Sequence, residues 1–169
     1  MSMLIPPLLQ RLTEEQVDCV IIGGFAAVAL GVPYVTQDID LCFNPEPANL
    51  VRLIAALASL HPRLRVEGMT DEQARALPFV WDTRALEQSA ILTLRTDATA
   101  LDLMSAVPGV GSFADVRAAA IDIEVFGFRM AVLDLPALIA SKRAAGRPKD
   151  LLILPQIEAT LRLRGQSEQ

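Results

Sequence analysis

Residues 21 to 41 read IIGGFAAVALGVPYVTQDIDL, and the pattern of this segment is the main indication of the fold. Its start completes a β-branched run, Asp18 to Ile22, that ends at a Gly-Gly pair, which is typical of a strand leading into a turn. Phe25 to Leu30 then favours a short apolar helix that stops at Gly31. Thr36 to Phe43 alternates polar and apolar residues, which predicts a second strand with one buried face.

The second strand carries two acidic residues, Asp38 and Asp40. Residues two apart in a strand project from the same face, so both carboxylates point one way while Ile39 and Leu41 point to the core. Leu101-Asp102-Leu103 repeats the pattern, and Asp102 joins the pair if its strand lies beside the first. At about 4 Å and an effective dielectric constant of about 20, a like-charge pair costs up to about 4 kcal/mol. We therefore expect a divalent metal ion, or a basic side chain, to neutralise the three acids.

Gly23 and Gly24 supply the other half of this pattern. A strand that ends in two glycines exposes backbone N–H groups without a Cβ in the way, and the helix that begins near Phe25 directs its positive end to the same place. Such a turn can hold triphosphate oxygens while metal ions bridge the phosphates to the aspartates. Gly109-Val-Gly111 resembles a phosphate loop only superficially, because no strand is predicted directly before it and no Lys-Ser/Thr follows it.

The rest of the chain mixes helical and strand patterns, which predicts an α/β (α+β) fold with a mixed sheet flanked by helices. The predicted helices span residues 6–17, 47–60, 71–77, 134–145 and 148–163. The further predicted strands span residues 64–67, 90–95, 99–104, 121–126 and 128–133. No repeat or long linker divides the chain, so we expect a single domain over residues 1–169.

Composition excludes several classes of protein. A hydrophobic fraction of 52% excludes a disordered chain, and no apolar run approaches the ~20 residues that a membrane span needs. The N-terminus lacks the basic region of a signal peptide, so we expect a cytoplasmic protein. Its net charge of −5 argues against non-specific nucleic-acid binding, although the segment from Ser141 onward is locally basic. Cys19 and Cys42 lie in apolar runs and are expected to be buried thiols.

Taken together, these motifs resemble the DNA-polymerase-β-type nucleotidyltransferase superfamily. The pattern of that superfamily is an apolar strand, Gly-Gly or Gly-Ser, about a dozen residues, Asp-x-Asp, and a third acid on a later strand; here 13 residues separate Gly24 from Asp38. GVPYVTQDIDL (residues 31–41) and AAGRPKDLLIL (residues 144–154) also look like small bacterial members related to AbiEii-type abortive-infection toxins. The resemblance covers roughly residues 18–43, 99–104 and 138–154.

The resemblance implies a metal-dependent enzyme that moves a nucleoside monophosphate from an NTP to an acceptor hydroxyl by a two-metal mechanism, with Mg²⁺ or Mn²⁺. Asp38, Asp40 and Asp102 are then the catalytic and metal-binding residues. The implied nucleotide-binding residues are Gly23, Gly24, Thr36 and Lys142, with Lys149 as a further phosphate contact.

The implied acceptor is RNA, a protein side chain or a small molecule, in keeping with a toxin–antitoxin component. Longer relatives carry an additional helical module for the acceptor, whereas this chain ends at Gln169, which suggests a homodimer or a partner chain.

Two other functions remain open from the residues alone. A catalytically inactive nucleotide- or partner-binding module of the same fold explains the short length, but not the three retained acids. A metal-dependent phosphohydrolase usually needs histidine ligands, and His61 is the only histidine in the chain. Asp97 is the rival third acid, and Phe79 with Trp81 is a weak candidate for base stacking.

Overall fold

The computed structural model describes residues 4–167, which form a mixed seven-stranded sheet, a separate two-stranded sheet and surrounding helices. The strands are β1 (Cys19–Ile22), β2 (Asp38–Phe43), β3 (Arg63–Leu64), β4 (Leu92–Arg95), β5 (Ala100–Met104), β6 (Ala106–Val107), β7 (Gly111–Ser112), β8 (Ala120–Val125) and β9 (Phe128–Leu133). The helices are α1 (Ile5–Glu14), α2 (Gly23–Ala29), α3 (Pro47–Ala58), α4 (Asp71–Arg75), α5 (Thr83–Gln88), α6 (Phe113–Ala118), α7 (Leu135–Ala145) and α8 (Pro148–Ser167). This architecture confirms the predicted α/β fold with a mixed sheet.

The large sheet has the strand order β3-β4-β5-β2-β1-β9-β8. Two of its pairings are parallel, β2 with β5 and β1 with β9, and the others are antiparallel. The strands β1 and β2, which residues 21–41 connect, therefore lie in the middle of the sheet. Helix α1 packs on α3, whereas α2 packs on α7, which also contacts α8.

Alternation along β2 and β5 separates the core from the face that carries the acids. Ile39 and Leu41 of β2 are completely buried, as is Leu101 of β5. The acidic residues between them project to the opposite face and are only partly buried. A register slip of one residue would place the leucines and isoleucine in solvent, so burial of the apolar residues also fixes the direction of the acids.

Some element boundaries differ from the predicted ones. Helix α2 begins at Gly23 and not near Phe25, and β2 begins at Asp38 and not at Thr36. Helices α5 and α6 were not predicted, because they are too short to show a helical period and are instead marked by their caps. Asp82 caps α5 by accepting from the backbone of Ala85, and Ser112 and Asp115 form a capping box at the start of α6.

Both cysteines are buried and free, as the sequence predicts. Burial raises the pKa of Cys19 and of Cys42 to about 12, so neither thiol is reactive near neutral pH. Within residues 4–167, no helix combines the length and the apolar character needed to cross a membrane.

Candidate functional site

The three acids predicted to act together do lie together in the sheet. Asp38 and Asp40 belong to β2, and Asp102 belongs to the neighbouring parallel strand β5. Asp40 is the direct register partner of Asp102, while Asp38 stands opposite Ala100. Neighbouring strands are about 4.8 Å apart, so the carboxylates share one small region of the sheet face.

Gly23 brings the backbone after β1 against the acids. Ile22, the last residue of β1, is the register partner of Asp40, so the chain turns directly beside this carboxylate. Gly23 has a φ of +67°, and a Cβ at this position would lie 2.0 Å from Asp40 Oδ2. Only glycine can adopt this backbone conformation and also lie this close to the Asp40 carboxylate.

Gly24 and Thr36 continue the same close packing. A Cβ on Gly24 would lie 3.1 Å from Thr36 Oγ1, so the glycine leaves room for the threonine hydroxyl. That hydroxyl lies 3.2 Å from both the carboxylate Oδ1 and the carbonyl oxygen of Asp38, to either of which it can donate. The hydroxyl therefore helps to orient Asp38.

Asp40 is the acid whose ionisation the surroundings disturb most. Burial, together with the negative charges of Asp38 and Asp102, raises its pKa to about 7. The positive charges of Lys142 and Lys149 act in the opposite direction. Near neutral pH a substantial fraction of Asp40 is consequently protonated unless a cation enters the site.

Arg65 is a residue of the site that the sequence analysis missed. Its Nη2 donates to Asp102 Oδ1 at 2.8 Å and lies 3.6 Å from Asp38 Oδ2. The sequence did predict a short strand over residues 64–67, and the structure has β3 at Arg63–Leu64. The sequence does not show which strand lies beside it, so the contact with the acids depended on the sheet order.

The predicted basic residues of the C-terminal segment are partly engaged with another acid. Lys142 of α7 donates to Asp150 Oδ1 at 2.7 Å, and Arg147 donates to both oxygens of the same carboxylate. Asp150 is completely buried, and these contacts lower its pKa against the opposing effect of burial. Its neighbour Lys149 acts on Asp40 through its charge.

The alternative site residues have structural contacts elsewhere. Asp97 accepts from Arg63 at 3.0 Å and lies 2.7 Å from His61 Nδ1, so neither Asp97 nor His61 belongs to the acid cluster. Trp81 donates its indole N–H to the carbonyl oxygen of Ile54 at 3.0 Å, which indicates packing against α3. A Cβ on Gly109 would lie 2.6 Å from the carbonyl oxygen of Ala140, so this glycine allows a close contact with α7.

The acid cluster offers carboxylate oxygens, which are the type of ligand atom that Mg²⁺ and Mn²⁺ prefer. The negative charges of Asp38 and Asp102 add to the effect of burial in raising the pKa of Asp40, and a bound cation would offset that repulsion. Within residues 4–167, no three acidic, histidine or cysteine side chains are arranged around a common point as metal ligands. Arg65 lies between two of the acids, so they must reorient to enclose an ion.

The fold is that of solved nucleotidyltransferase structures. The crystal structure of ANT(2'')-Ia in complex with adenylyl-2''-tobramycin matches with a TM-score of 0.60 at 18% identity, covering 94% of this chain and 87% of that one. The solution structure of the antibiotic-resistance factor ANT(2'')-Ia matches with a TM-score of 0.55 at 17% identity, over 98% and 91% of the two chains. A candidate nucleotidyltransferase of Thermotoga maritima matches with a TM-score of 0.52 at 17% identity, over 97% and 90%. No protein-family model and no curated protein matches the sequence.

Proposed function

We propose that this chain transfers a nucleoside monophosphate from an NTP to an acceptor hydroxyl and releases pyrophosphate. The observation that carries the proposal is the register of β2 and β5, which places Asp40 opposite Asp102 with Gly23 packed against Asp40. Three acids on one face beside a glycine turn repel one another, and Arg65 contacts only Asp38 and Asp102, so a bound cation would offset the repulsion that remains. The shared fold of solved nucleotidyltransferases agrees with this proposal.

In this reaction some residues would bind the metal ions and the nucleotide, and Asp102 would also take part in proton transfer. Asp38, Asp40 and Asp102 would hold Mg²⁺ or Mn²⁺, and Gly23 and Gly24 would bind triphosphate oxygens through their backbone N–H groups. The bound cations would offset negative charge on the phosphate and on the attacking and leaving oxygens. Asp102 would accept the proton of the acceptor hydroxyl.

Two further residues would assist. Thr36 would keep the Asp38 carboxylate oriented through its hydroxyl group, which lies 3.2 Å from Asp38 Oδ1. Lys142 would contact phosphate by leaving Asp150 or by sharing its donors with both, since an ammonium group has three N–H donors.

The acceptor is the least defined part of the proposal. In the neighbouring structure of ANT(2'')-Ia, the bound molecule is adenylyl-2''-tobramycin, a small molecule that carries an adenylyl group. A small hydroxyl compound is therefore one acceptor class for this chain, beside RNA and a protein side chain. The resemblance to abortive-infection toxins extends the proposal to a toxin–antitoxin component whose acceptor is needed for growth.

A second candidate function is a catalytically inactive module that binds a nucleotide or a partner chain. The observation that favours it is the internal pairing of the cations near the site, Arg65 with Asp102 and Lys142 with Asp150. Such pairing satisfies the charges without any ligand. The two functions differ in one measurable respect, which is turnover.

Transfer of label from α-labelled NTPs, with Mg²⁺, to total bacterial RNA and to cell extract tests the proposal. The wild type is compared with an Asp38→Ala/Asp40→Ala double variant. Asp122→Ala is the matched control, because Asp122 is an exposed acid of β8, at the far edge of the sheet, and pairs with Arg117 of α6. We expect label on an acceptor with the wild type and the control, and none with the double variant. Metal-dependent NTP binding without transfer would favour the inactive module, and absence of both would contradict the proposed function.

A further inference from the structure

Arg65 belongs to the same face of the sheet as the acids. Its backbone N–H donates to the carbonyl oxygen of Thr93 at 3.0 Å, continuing the pairing of β3 with β4. Thr93 is the register partner of Asp102, and Asp102 is the register partner of Asp40. Residues that stand directly opposite one another in a sheet project from the same face. The strand order thus places one guanidinium beside the acid cluster.

The guanidinium uses few of its donors. A single nitrogen, Nη2, makes the 2.8 Å hydrogen bond to Asp102 and the 3.6 Å ion pair to Asp38. The Nε of Arg65 is buried and has no hydrogen-bond partner. A guanidinium carries five N–H donors, and its strongest carboxylate contacts are bidentate. Arg65 therefore bridges two acids without the geometry that would fix it firmly to either.

Arg63, two residues earlier on the same strand face, shows the contrast. Its Nε and Nη2 donate to the two oxygens of Asp71 at 2.6 and 2.9 Å, and its Nη1 donates to Asp97 at 3.0 Å. All three nitrogens are engaged, and the residue is buried. Arg63 is thus a fixed structural ion pair, whereas the side chain of Arg65 is 30% exposed and incompletely bonded.

We propose that Arg65 is the internal counter-cation of the site, a positioning residue that neutralises Asp38 and Asp102 without metal and competes with a divalent cation for their oxygens. The inference rests on the cation binding that the proposed function requires. A guanidinium remains charged at any physiological pH, so it offsets the repulsion between the acids. The same contacts occupy carboxylate lone pairs that a cation must use. Loading of the site then requires Arg65 to release at least Asp38, the longer of its two contacts.

Titration of the protein with Mn²⁺ alone, followed by the electron paramagnetic resonance of free Mn²⁺, tests this competition. We expect Arg65→Gln to bind Mn²⁺ at least about tenfold more tightly than the wild type, which corresponds to about 1.4 kcal/mol. Arg117→Gln is the matched control, since it makes the same substitution at an arginine that pairs with an aspartate, Asp122, outside the acid cluster. The control should bind Mn²⁺ as the wild type does. A merely structural role for Arg65 predicts the opposite direction, because a disordered site binds metal less well.

Thermal unfolding gives a second readout that does not depend on activity. With chelator present, Arg65→Gln should melt at a lower temperature than the wild type, and Mn²⁺ should raise its melting temperature more than it raises that of the wild type. If Arg65→Gln does not fold, Arg65→Lys takes its place. Lysine keeps the charge but has a shorter reach, so its Mn²⁺ affinity should lie above that of the wild type.

The outcomes separate this inference from the proposed function. Mn²⁺ binding that is equal or weaker in Arg65→Gln, or in Arg65→Lys where it is the variant tested, overturns the role of Arg65 and leaves the nucleotidyltransferase proposal intact. Absence of Mn²⁺ binding in the wild type and in the Arg65 variants overturns both. Tighter binding in the Arg65 variants, with an unchanged Arg117→Gln control, supports both.

Discussion

At the scale of single residues, Gly23 sets how closely the turn after β1 approaches the acids. Its positive φ is open to glycine at little cost, and its missing Cβ leaves the space that the carboxylate of Asp40 fills. Gly127 has a comparable φ of +83°, but a Cβ there would meet no atom within 4 Å. The two glycines thus differ in close contact and not in backbone conformation.

Gly23→Ala should therefore destabilise the protein more than Gly127→Ala. Both substitutions place an alanine in the left-handed region, at a cost of about 1–2 kcal/mol. Only Gly23→Ala also displaces Asp40. Its free energy of unfolding should therefore fall by more than about 1–2 kcal/mol, and the variant should also lose Mn²⁺ binding. Urea unfolding of both variants measures the difference, and equal losses would show that the approach of Gly23 to Asp40 is unimportant.

Asp40 gives a pH-dependent prediction at the same scale. Its pKa is raised from 3.8 to about 7 in the folded protein, so the folded state binds this proton more tightly than the unfolded chain does. The stability that Asp40 contributes is therefore present below about pH 4 and is lost as the pH rises to about 7.

With chelator present, Asp40→Asn should match the wild type in free energy of unfolding near pH 4 and exceed it at pH 8. The expected difference at pH 8 is on the order of a few kcal/mol, because the buried charge is gone. Urea unfolding across this range provides the measurement. Parallel pH profiles of the two proteins would contradict the raised pKa.

Some residues of the candidate site could be predicted from the sequence, and one could not. Asp38, Asp40 and Asp102 were predictable because the period of a strand assigns each acid to a face and the flanking apolar residues fix that face. Arg65 was not predictable, because its neighbours depend on β3 and β4 lying beside β5. Pairing between strands distant in sequence leaves no local pattern.

At the scale of elements, the junction of α7 and α8 depends on one buried acid. Asp150 lies in the first turn of α8 and accepts from Lys142 on α7 and from Arg147 just before α8. Gly146, with a φ of +62°, ends α7 and lets the chain enter α8. This junction places Lys142 and Lys149 close enough to Asp40 for their charges to lower its pKa.

Asp150→Ala should destabilise the protein strongly, by about 3–5 kcal/mol, because it leaves Lys142 largely buried without its anion. The comparison variant is Asp122→Ala, which removes an acid from an exposed pair and should change stability by less than about 1 kcal/mol. Chemical unfolding of both proteins measures the two effects. Similar small losses would mean that the buried ion pair does not hold the junction.

Long periodic elements were the predictable ones. The hairpin of β8 and β9 turns at Gly127 as expected, and α7 begins after the capping Asp134 and ends at Gly146. The missed helix α6 had a local signal, Ser112 followed three residues later by Asp115, but only six helical residues. Capping and tertiary packing determine such short helices, and they contain too few residues to show the apolar periodicity of a longer helix.

At the scale of the whole molecule, the central position of β1, β2 and β5 explains why the candidate site lies where it does. Parallel pairing of β2 with β5 and antiparallel pairing of β2 with β1 bring the acids of two strands and the glycine turn of a third to one place. The same fold is found in solved structures only 17–18% identical to this chain. The sheet order was not visible in the sequence, whereas the mixed sheet and the order of motifs along the chain were.

A comparison of α-labelled with γ-labelled ATP, under the conditions in which transfer is assayed, distinguishes nucleotidyl transfer from other phosphate chemistry. Transfer of a nucleoside monophosphate leaves the α label on the acceptor and sends the γ label into pyrophosphate, and both products should disappear in Asp102→Asn. A γ label that appears on the acceptor, or in inorganic phosphate with no α label transferred, would contradict the account and identify a phosphoryl transferase or a phosphohydrolase instead.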